Sequence, residues 1–236
     1  MISCCQNDLI GSELCHLVLN GRLVLTGVIW RNIVKLLKFW LGVLFHYGSI
    51  IKHRWWVHLY IVRFICFYNE PRVIPVEPSW KLKLYVLALA HDMSKFRWSE
   101  TKYFAKVIFK LKHATYGSEL YRALLRSIVP AIDLHYMRNL HHPEHYMYHE
   151  CNGCFSRYHK EVNVCSCCGY SQFQIRGGGF RDMSYIRRVE MMADWMAATR
   201  RHNDGDIEKS FVVNKERFHM TDLDVERLKC IVFWMK

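Results

Sequence analysis

The sequence predicts a mainly α-helical protein, a bundle of five or more helices into which a small four-cysteine zinc ribbon is inserted. Three observations lead to this fold class. Apolar residues recur at steps of three and four over most of the 236 residues, which is the period of a helix with one buried face. Only 12 Gly and 5 Pro occur in the chain, which excludes a collagen-like or low-complexity architecture. Between residues 151 and 175 the helical period is lost, and cysteine, glycine and β-forming residues replace it.

The composition is that of a folded, positively charged protein. Hydrophobic residues make up 51% and charged residues 23%, which excludes a disordered chain and leaves enough apolar surface for a core. Lys and Arg number 33 against 21 Asp and Glu, a net charge of +12, and this excess favours anionic partners such as a phosphate-containing substrate or a nucleic acid. We see no secretory signal and no disulfide framework, so we expect a cytoplasmic protein.

The first predicted helix covers residues 27–51. Apolar residues between Ile29 and Tyr47 share one of its faces, and three cations lie opposite: Arg31, Lys35 and Lys38. Charges near the middle of the segment would be costly inside a bilayer, so we predict no transmembrane segment. Two alternatives remain, a helix packed on the domain, which we favour, and a basic helix lying on a membrane surface.

Three further helices follow. The first covers residues 52–68, and a proline-containing connection at residues 69–78 separates it from the next. Ser79 favours the N-cap position and predicts a helix that ends near His91. Ser99 is predicted to begin the third in the same way.

A long helical pattern then runs from Ser118 towards His142, with a kink or restart expected near Pro130. Its buried face changes from aliphatic to imidazole side chains along the chain. The residues of this face are Leu124, Ile128, Ile132, His135, Asn139 and His142.

Two more helices complete the predicted bundle. Helical spacing resumes at Ser184 and places Glu190 and Asp194 on one face. Thr221 and Asp224 have the spacing of a capping box, which predicts the start of the last helix.

The cysteines between the helices have the spacing of a zinc site. They form a C-x2-C…C-x2-C arrangement made of Cys151, Cys154, Cys165 and Cys168. Two such pairs can complete a four-coordinate structural zinc, and Gly169 suits the tight turn after the last ligand. Cys167 could replace a neighbour, and two disulfides or metal-free buried cysteines are the other interpretations.

These elements divide the chain into three regions. The N-terminal amphipathic region covers residues 1–50, and the zinc-ribbon insertion covers residues 149–179. The helical core consists of residues 51–148 and 180–236.

Histidines and aspartates at separated positions form a second candidate site. His91-Asp92 lies at the predicted end of a helix, and Lys95 follows within one turn. Other members lie on neighbouring predicted helices: His53, His135, Asn139, His141, His142 and Asp194. Packed helices can bring such groups to one point, and mixed imidazole and carboxylate ligands suit zinc, iron or manganese. A purely structural arrangement is the alternative, with Asp194 paired to Arg187 or Arg188.

This pattern resembles the HD superfamily of metal-dependent phosphohydrolases, in which a lone His, a His-Asp pair and a distant Asp lie on helices. More narrowly, it is similar to an uncharacterised HD-like family of bacterial and phage proteins. The resemblance covers roughly residues 50 to 202, and four stretches carry it: residues 51–53, 91–96, 139–144 and 190–195.

The resemblance implies a set of metal ligands made of His53, His91, Asp92 and Asp194, with Mn, Fe, Mg or Zn as the divalent ion. His135, His141 and His142 are similar in placement to the extra histidines of two-metal members. Three features depart from the family. The cysteine-rich segment interrupts the core, His58 competes with His53, and the first 50 residues match nothing in the family.

We therefore expect hydrolysis of a phosphate ester or nucleotide-like substrate, with metal-activated water as the nucleophile. Lys95 and Asn139 are the expected substrate-binding residues. Lys95 with an imidazole from His135, His141 or His142 would neutralise charge or deliver a proton.

The alternative is a non-catalytic zinc-ribbon module that binds nucleic acid or protein, with a structural or degenerate His/Asp site. Five basic side chains near the cysteines suit a phosphate-contacting surface: Arg157, His159, Lys160, Arg176 and Arg181.

Overall fold

The structure is a computed structural model that describes residues 8–69, 79–115, 117–158, 162–176, 179–201 and 205–236, with side chains from residue 29 onwards except at residues 175 and 176. Within these ranges the chain forms eight α-helices and three short strands. The prediction of a mainly helical protein is therefore confirmed.

A single long helix organises the fold. Helix α1 runs from Asp8 to Phe67, a length of about 90 Å. Its C-terminal part contacts four other helices: α2 (Trp80–Ala90), α3 (Trp98–His113), α6 (Tyr185–Thr199) and α8 (Asp222–Met235). Where α1 meets α3, Gly42 allows the close approach, because a Cβ at this position would collide with the Ala105 carbonyl.

The prediction of separate helices at residues 27–51 and 52–68 is wrong, because α1 continues through both. Buried residues recur along it at steps of three and four without a break: Val43, His46, Ile50, His53, Val57, Tyr60, Ile61 and Phe64. This stripe packs on the bundle and holds the helix together across Gly48, which would weaken an isolated helix. The proposed division at residue 50 falls inside this helix.

The long pattern after Ser118 is two helices, α4 (Glu119–Arg126) and α5 (Val129–Arg138). The Ser118 hydroxyl accepts a hydrogen bond from the Tyr121 N–H at 3.1 Å, and the break precedes Pro130 as predicted. The expected continuation to His142 is wrong, since the backbone is extended at Asn139 and His142. Pro143 follows His142 and disfavours a helical conformation there.

Local capping interactions define the last helices. The Ser184 hydroxyl accepts a hydrogen bond from the backbone N–H of Arg187 in the first turn of α6. Thr221 and Asp224 form the predicted capping box of α8. The structure also contains α7 (Ile207–Arg217), which we did not predict and which Asp206 caps by accepting from the Glu208 N–H.

Short elements fill the connections. Short 3₁₀ helices lie at Met93–Phe96, Pro143–Tyr146 and Gly179–Asp182. The strands are β1 (Tyr148–Cys151), β2 (Arg157–Tyr158) and β3 (Phe173–Arg176), antiparallel in the order β2-β1-β3. In the register, His149 lies opposite Tyr158 and Cys151 lies opposite Phe173. This small sheet lies within the predicted insertion.

The main apolar core lies between α1, α2, α6, α7 and α8. Its fully buried members include Ile61, Phe64, Leu84, Met191, Met192, Leu228 and Ile231. Each such side chain contributes about 1.5–3 kcal/mol on burial. This core holds α1, α2 and α6 in fixed positions. His53 lies on α1, Asp194 lies on α6, and His91 and Asp92 directly follow α2.

Candidate metal centre

Four of the predicted residues meet in the interior. His53 lies on α1, His91 and Asp92 directly follow α2, and Asp194 lies on α6. The His53 Nε2 atom lies 2.8 Å from Asp194 Oδ1 and 3.5 Å from Asp92 Oδ2. The His91 Nε2 atom lies 3.6 Å from each of the same two oxygens. One ligand atom from each residue therefore lies within 4.8 Å of all the others.

The end of α2 explains how two adjacent residues reach the same point. Successive side chains on a helix diverge by about 100°. Here the helix ends at Ala90, His91 is extended, and Asp92 adopts a left-handed conformation with φ of 56°. Aspartate tolerates this conformation better than most residues. Both side chains are consequently buried in one place, 1% and 0% exposed.

A second group shares Asp92 with the first. Its Oδ1 atom lies 3.2 Å from His135 Nε2 and 3.6 Å from His141 Nε2. The Nε2 atoms of His142 and His135 are 2.9 Å apart. The four residues again bring one ligand atom each within 4.8 Å. Asp92 thus faces the first group with Oδ2 and the second with Oδ1, which is the geometry of a carboxylate that could bridge two cations.

Two buried glutamates contact the histidine rings at Nδ1, whereas the Nε2 atoms face Asp92. Glu190 Oε1 lies 3.2 Å from His91 Nδ1 and 3.3 Å from His141 Nδ1. Glu100 Oε2 lies 3.3 Å from His135 Nδ1. A carboxylate at Nδ1 fixes the tautomer that leaves Nε2 as an acceptor, as in metal-binding histidines. Sequence reasoning missed both: Glu190 had only its position one turn before Asp194 as a signal, and Glu100 had none.

Charge interactions keep the carboxylates ionised. Burial would raise the pKa values of Asp92 and Asp194. The charges of Lys95 and His91 hold the pKa of Asp92 well below the ordinary range, and the imidazoles of His53 and His91 do the same for Asp194. Burial lowers the pKa of His53 to about 3. Burial alone would also lower that of His91, but the surrounding Asp92, Asp194 and Glu190 raise its pKa to about 10. Without a metal ion, the ionised carboxylates are therefore balanced by Lys95, Arg187 and the proton on His91, and a bound cation would displace that proton.

The pattern of hydrogen bonds also favours a bound cation. Within the described residues, four buried atoms that face this centre make no hydrogen bond of acceptable geometry, although carboxylate or imidazole atoms lie 2.8–3.6 Å from each of them: His53 Nε2, His91 Nε2, His141 Nε2 and Asp92 Oδ1. Buried polar atoms normally have partners, and each exception needs an explanation. Bonds of about 2.1 Å to one cation place neighbouring ligand atoms about 3.0–3.5 Å apart, close to the distances found here. The residues therefore fit divalent cations.

The structure places the other predicted residues around this centre. The Lys95 ammonium contacts Asp92 Oδ2. The Asn139 amide donates to the Ser94 hydroxyl at 2.8 Å and to the His135 carbonyl at 2.7 Å. Asn139 therefore positions His135, and its expected contact with substrate stays a prediction.

The structure separates the two competing histidines of α1. His53 joins the buried group, whereas the ring of His58 contacts the ring of Tyr85, 5.4 Å between centroids. The alternative pairing of Asp194 with an arginine does not occur with Arg187, whose guanidinium donates to Glu190 at 2.7 Å.

A cleft of about 320 Å³ opens beside the His/Asp groups, with His142 and Asp194 in its wall. Its charged lining is mixed, with three cationic side chains, Arg201, Lys209 and Arg217, and three carboxylates, Glu144, Asp194 and Asp206. Arg217 pairs with Glu144. Aromatic side chains also contribute, among them Tyr136 and Trp195. The volume is that of a small-molecule site, and we did not predict its charged lining because α7 supplies part of it.

The cysteines form a separate cluster. The sulfurs of Cys151, Cys154, Cys165 and Cys168 lie within 4.8 Å of one another, and two pairs are 3.5 Å apart. A tetrahedral ion with bonds of about 2.3 Å would place thiolates about 3.8 Å apart. The cluster could therefore bind a metal ion. Cys167 is exposed and outside it, and every described cysteine is free of a disulfide.

Two local features favour metal binding by the cysteines, the turn at Gly169 and the contact of Tyr158 with Cys165. Gly169 has φ of +74° and supplies the predicted turn, in which its N–H donates to the Cys165 carbonyl at 2.8 Å. The Tyr158 hydroxyl, 3.2 Å from the Cys165 sulfur, lowers the pKa of this thiol to about 6. A lower pKa favours the thiolate that metal binding requires.

The basic residues proposed to contact nucleic acid are only partly described. The Arg157 guanidinium is exposed but pairs with Glu150 at 3.3 Å, and Arg181 is exposed. His159, Lys160 and the side chain of Arg176 lie outside the described part of the chain.

The fold and these groups define the class of protein: it is mainly helical and carries a buried His/Asp group and a four-cysteine cluster, both of which could bind metal ions. Residues 42–230 match a protein family described as a family of unknown function (DUF5662), so the chain belongs to this family. The match contains both clusters and begins within α1. No curated protein and no solved structure matches the chain.

Proposed function

We propose that this protein is a metal-dependent phosphohydrolase of the HD type, which cleaves a small phosphate ester or nucleotide-like substrate at the His/Asp site. One observation carries the proposal. Buried Nε2 and carboxylate atoms that make no hydrogen bond of acceptable geometry converge from both sides on Asp92, directly beside a cleft whose charged lining includes Arg201 and Lys209. The order of the groups along the helices, with a lone His, then His-Asp, then Asp, supports an HD-like bundle.

The ligands divide into two sets that share one carboxylate. His53, His91 and Asp194 with Asp92 Oδ2 form the first, and the second joins His135, His141 and His142 to Asp92 Oδ1. Divalent cations bound there would supply a Lewis acid for the phosphoryl group and lower the pKa of a water molecule towards neutrality.

The histidines of the second set are suited to bind a cation. Burial lowers the pKa values of His141 and His142, and neighbouring imidazoles lower them further. Both rings are therefore neutral at pH 7 and can offer a lone pair. This property supports a ligand role more than the delivery of a proton to the leaving group.

The cleft supports an anionic substrate of limited size. Arg201 and Lys209 would neutralise phosphate charge, while Arg217 pairs with Glu144. Trp195 and Tyr136 offer rings on which a base or sugar could stack. Asp194 belongs both to the cleft wall and to the first set of ligands. A phosphate held by the cations would thus lie next to the His/Asp centre.

The four cysteines would hold a structural zinc ion. Four thiolates close the coordination sphere, so this ion would stabilise the small sheet rather than take part in the reaction. Strand β1 begins at Tyr148, six residues after His142. A rigid sheet would therefore steady the loop that carries His141 and His142.

Turnover with a matched pair of variants tests the proposal. Purified protein should hydrolyse p-nitrophenyl phosphate, its diester or nucleoside phosphates when Mn²⁺ is supplied. His53→Ala should abolish turnover and lower the metal content, whereas His58→Ala, five residues further along the same helix, should keep both. Full activity of His53→Ala would overturn the proposal. Salt-dependent binding of DNA or RNA without turnover would instead favour the nucleic-acid-binding alternative.

A further inference from the structure

The N-terminal part of α1 projects beyond the bundle and exposes large apolar side chains. At residues 29–41 every position except Val34 and Phe39 is exposed. On this helix Trp30, Leu36 and Leu44 are 66%, 58% and 66% exposed. Among the described residues, Ile29–Phe67 is apolar and long enough to cross a membrane by length and composition. Residues 1–41 also lie outside the family match.

The exposed apolar residues of α1 form one stripe. At about 100° per residue, six of them fall within a sector of about 100°: Ile33, Leu36, Trp40, Leu44, Ile51 and Trp55. Its first and last members, Ile33 and Trp55, are 22 positions apart, or about 33 Å. The stripe lies beside the line of Val43, Ile50 and Val57 that packs on the bundle, and Trp40 stacks on Trp98 at the start of α3, with ring centroids 6.0 Å apart.

Helix α2 extends this stripe into a broader face. Its exposed apolar residues, Leu82, Val86 and Leu89, recur at steps of four and three. The two helices are held side by side, since Arg54 donates to the Leu89 carbonyl and the rings of His58 and Tyr85 are in contact. We call the exposed apolar stripe of α1, together with these three residues, the α1–α2 face.

The charges around the α1–α2 face all have one sign. Residues 29–67 contain no Asp or Glu, and in residues 79–99 the one carboxylate is Asp92, which is completely buried. On α2, Lys81 and Lys83 lie on either side of the apolar stripe. On α1, Lys35 and Lys38 lie on the opposite side of the helix from its stripe. Such a pattern, with apolar and indole groups framed by Lys and Arg, is typical of helices that lie in the interface of an anionic bilayer.

We propose that the α1–α2 face binds the surface of a membrane rich in anionic lipids, with α1 lying along the interface. A second copy of the chain is a poorer occupant, because pairing two such faces would bring like charges together without an opposing carboxylate. Anionic headgroups would neutralise the same cations. α1 does not cross the bilayer, because residues 43–64 pack on other helices and carry the buried His53. This inference does not depend on the chemistry of the His/Asp site.

Flotation of the full chain with lipid vesicles tests the inference. Vesicles of phosphatidylcholine with 30% phosphatidylserine should carry the protein upwards at 0.1 M NaCl. Pure phosphatidylcholine vesicles should carry much less, and 0.5 M NaCl should weaken binding to the anionic vesicles because salt screens the cations.

A pair of variants locates the surface. Leu44→Glu places a carboxylate in the α1–α2 face, and Val212→Glu makes the same kind of change on α7, where Val212 is 73% exposed. Leu44→Glu should weaken vesicle binding roughly tenfold to a hundredfold, and Val212→Glu should leave it unchanged. Both variants should keep the circular dichroism spectrum and metal content of the wild type.

Three outcomes would overturn the inference. They are no binding of the wild type to anionic vesicles, equal binding of the two variants, and binding that does not depend on salt concentration or lipid charge. Analytical sedimentation of the wild type measures its oligomeric state and so tests whether a second copy of the chain occupies the face. A dimer that Leu44→Glu dissociates, together with absent vesicle binding, would assign the face to self-association instead.

Discussion

Glu190 provides the sharpest test of the metal centre, because it holds two of its histidines without itself facing the shared carboxylate. It is 2% exposed, and its Oε1 atom contacts the Nδ1 atoms of both His91 and His141. Its Oε2 atom accepts a hydrogen bond from Arg187 at 2.7 Å. We expect Glu190→Gln to weaken cation binding at the His/Asp centre while the fold is kept.

The contacts set the size of the effect. If the amide oxygen of Gln faces the two imidazoles, its NH₂ group faces the guanidinium of Arg187, and two donors then oppose each other. If the amide is reversed, both imidazoles lose their acceptor. Loss of such an outer contact commonly costs 10- to 100-fold in metal affinity, or about 1.4–2.7 kcal/mol.

Titration of metal-stripped protein with Mn²⁺ measures this loss directly. Isothermal calorimetry gives the dissociation constant, and elemental analysis of the purified protein gives the metal content. Glu216→Gln is a matched control, because Glu216 is exposed on α7 and the same charge is removed there. Zinc at the four cysteines should be unchanged in both variants.

The same Mn²⁺ affinity in Glu190→Gln and the wild type would refute the reasoning, since the rings would then need no support from this carboxylate. A loss of zinc together with the loss of Mn²⁺ would show that the variant is unfolded. Glu190→Asp would then separate the two explanations, because it keeps the charge but shortens the reach.

Three further predictions concern folding and the cysteine cluster. Burial lowers the pKa of His46 to about 4 from 6.5. As the pH falls, the unfolded chain therefore binds this proton first, and the free energy of unfolding falls between pH 6.5 and 4, by about 3 kcal/mol in all. His46→Phe should flatten this part of the plot of urea midpoint against pH, and an unchanged slope would contradict the prediction. Cys154→Ser should lose the zinc of the four-cysteine cluster while Cys167→Ser keeps it, as elemental analysis would show, and equal zinc in both would be the contrary result. Thr221→Ala should lower the free energy of unfolding by about 1 kcal/mol, and a thermal midpoint identical to the wild type would count against the capping box.

The parts predicted correctly are those decided by neighbours in the chain. The starts of α4, α6 and α8 depend on a Ser or Thr hydroxyl and an N–H three residues later. The cysteine cluster depends on two short spacings and one tight turn at Gly169. Interactions between residues only a few positions apart can be recognised from the sequence.

The errors occur where distant contacts override the local pattern. The apolar stretch that ends at Ile51 suggested a helix separate from residues 52–68, but packing of one buried stripe on the bundle keeps α1 continuous. The helical spacing of His135, Asn139 and His142 suggested a common face of one helix. Instead, α5 ends at Arg138, and the loop that follows brings His141 and His142 to Asp92.

The sequence by itself determined the helical class, the four-cysteine cluster and the residues that compose the His/Asp groups. Only the tertiary structure decided that Asp92 faces both groups, that Glu190 and Glu100 contact the rings, and that α7 lines the cleft beside them. The physical reason is distance along the chain. His53 and Asp194 are 141 positions apart in the sequence yet 2.8 Å apart in space, and it is the packing of the apolar core between α1 and α6 that brings them together.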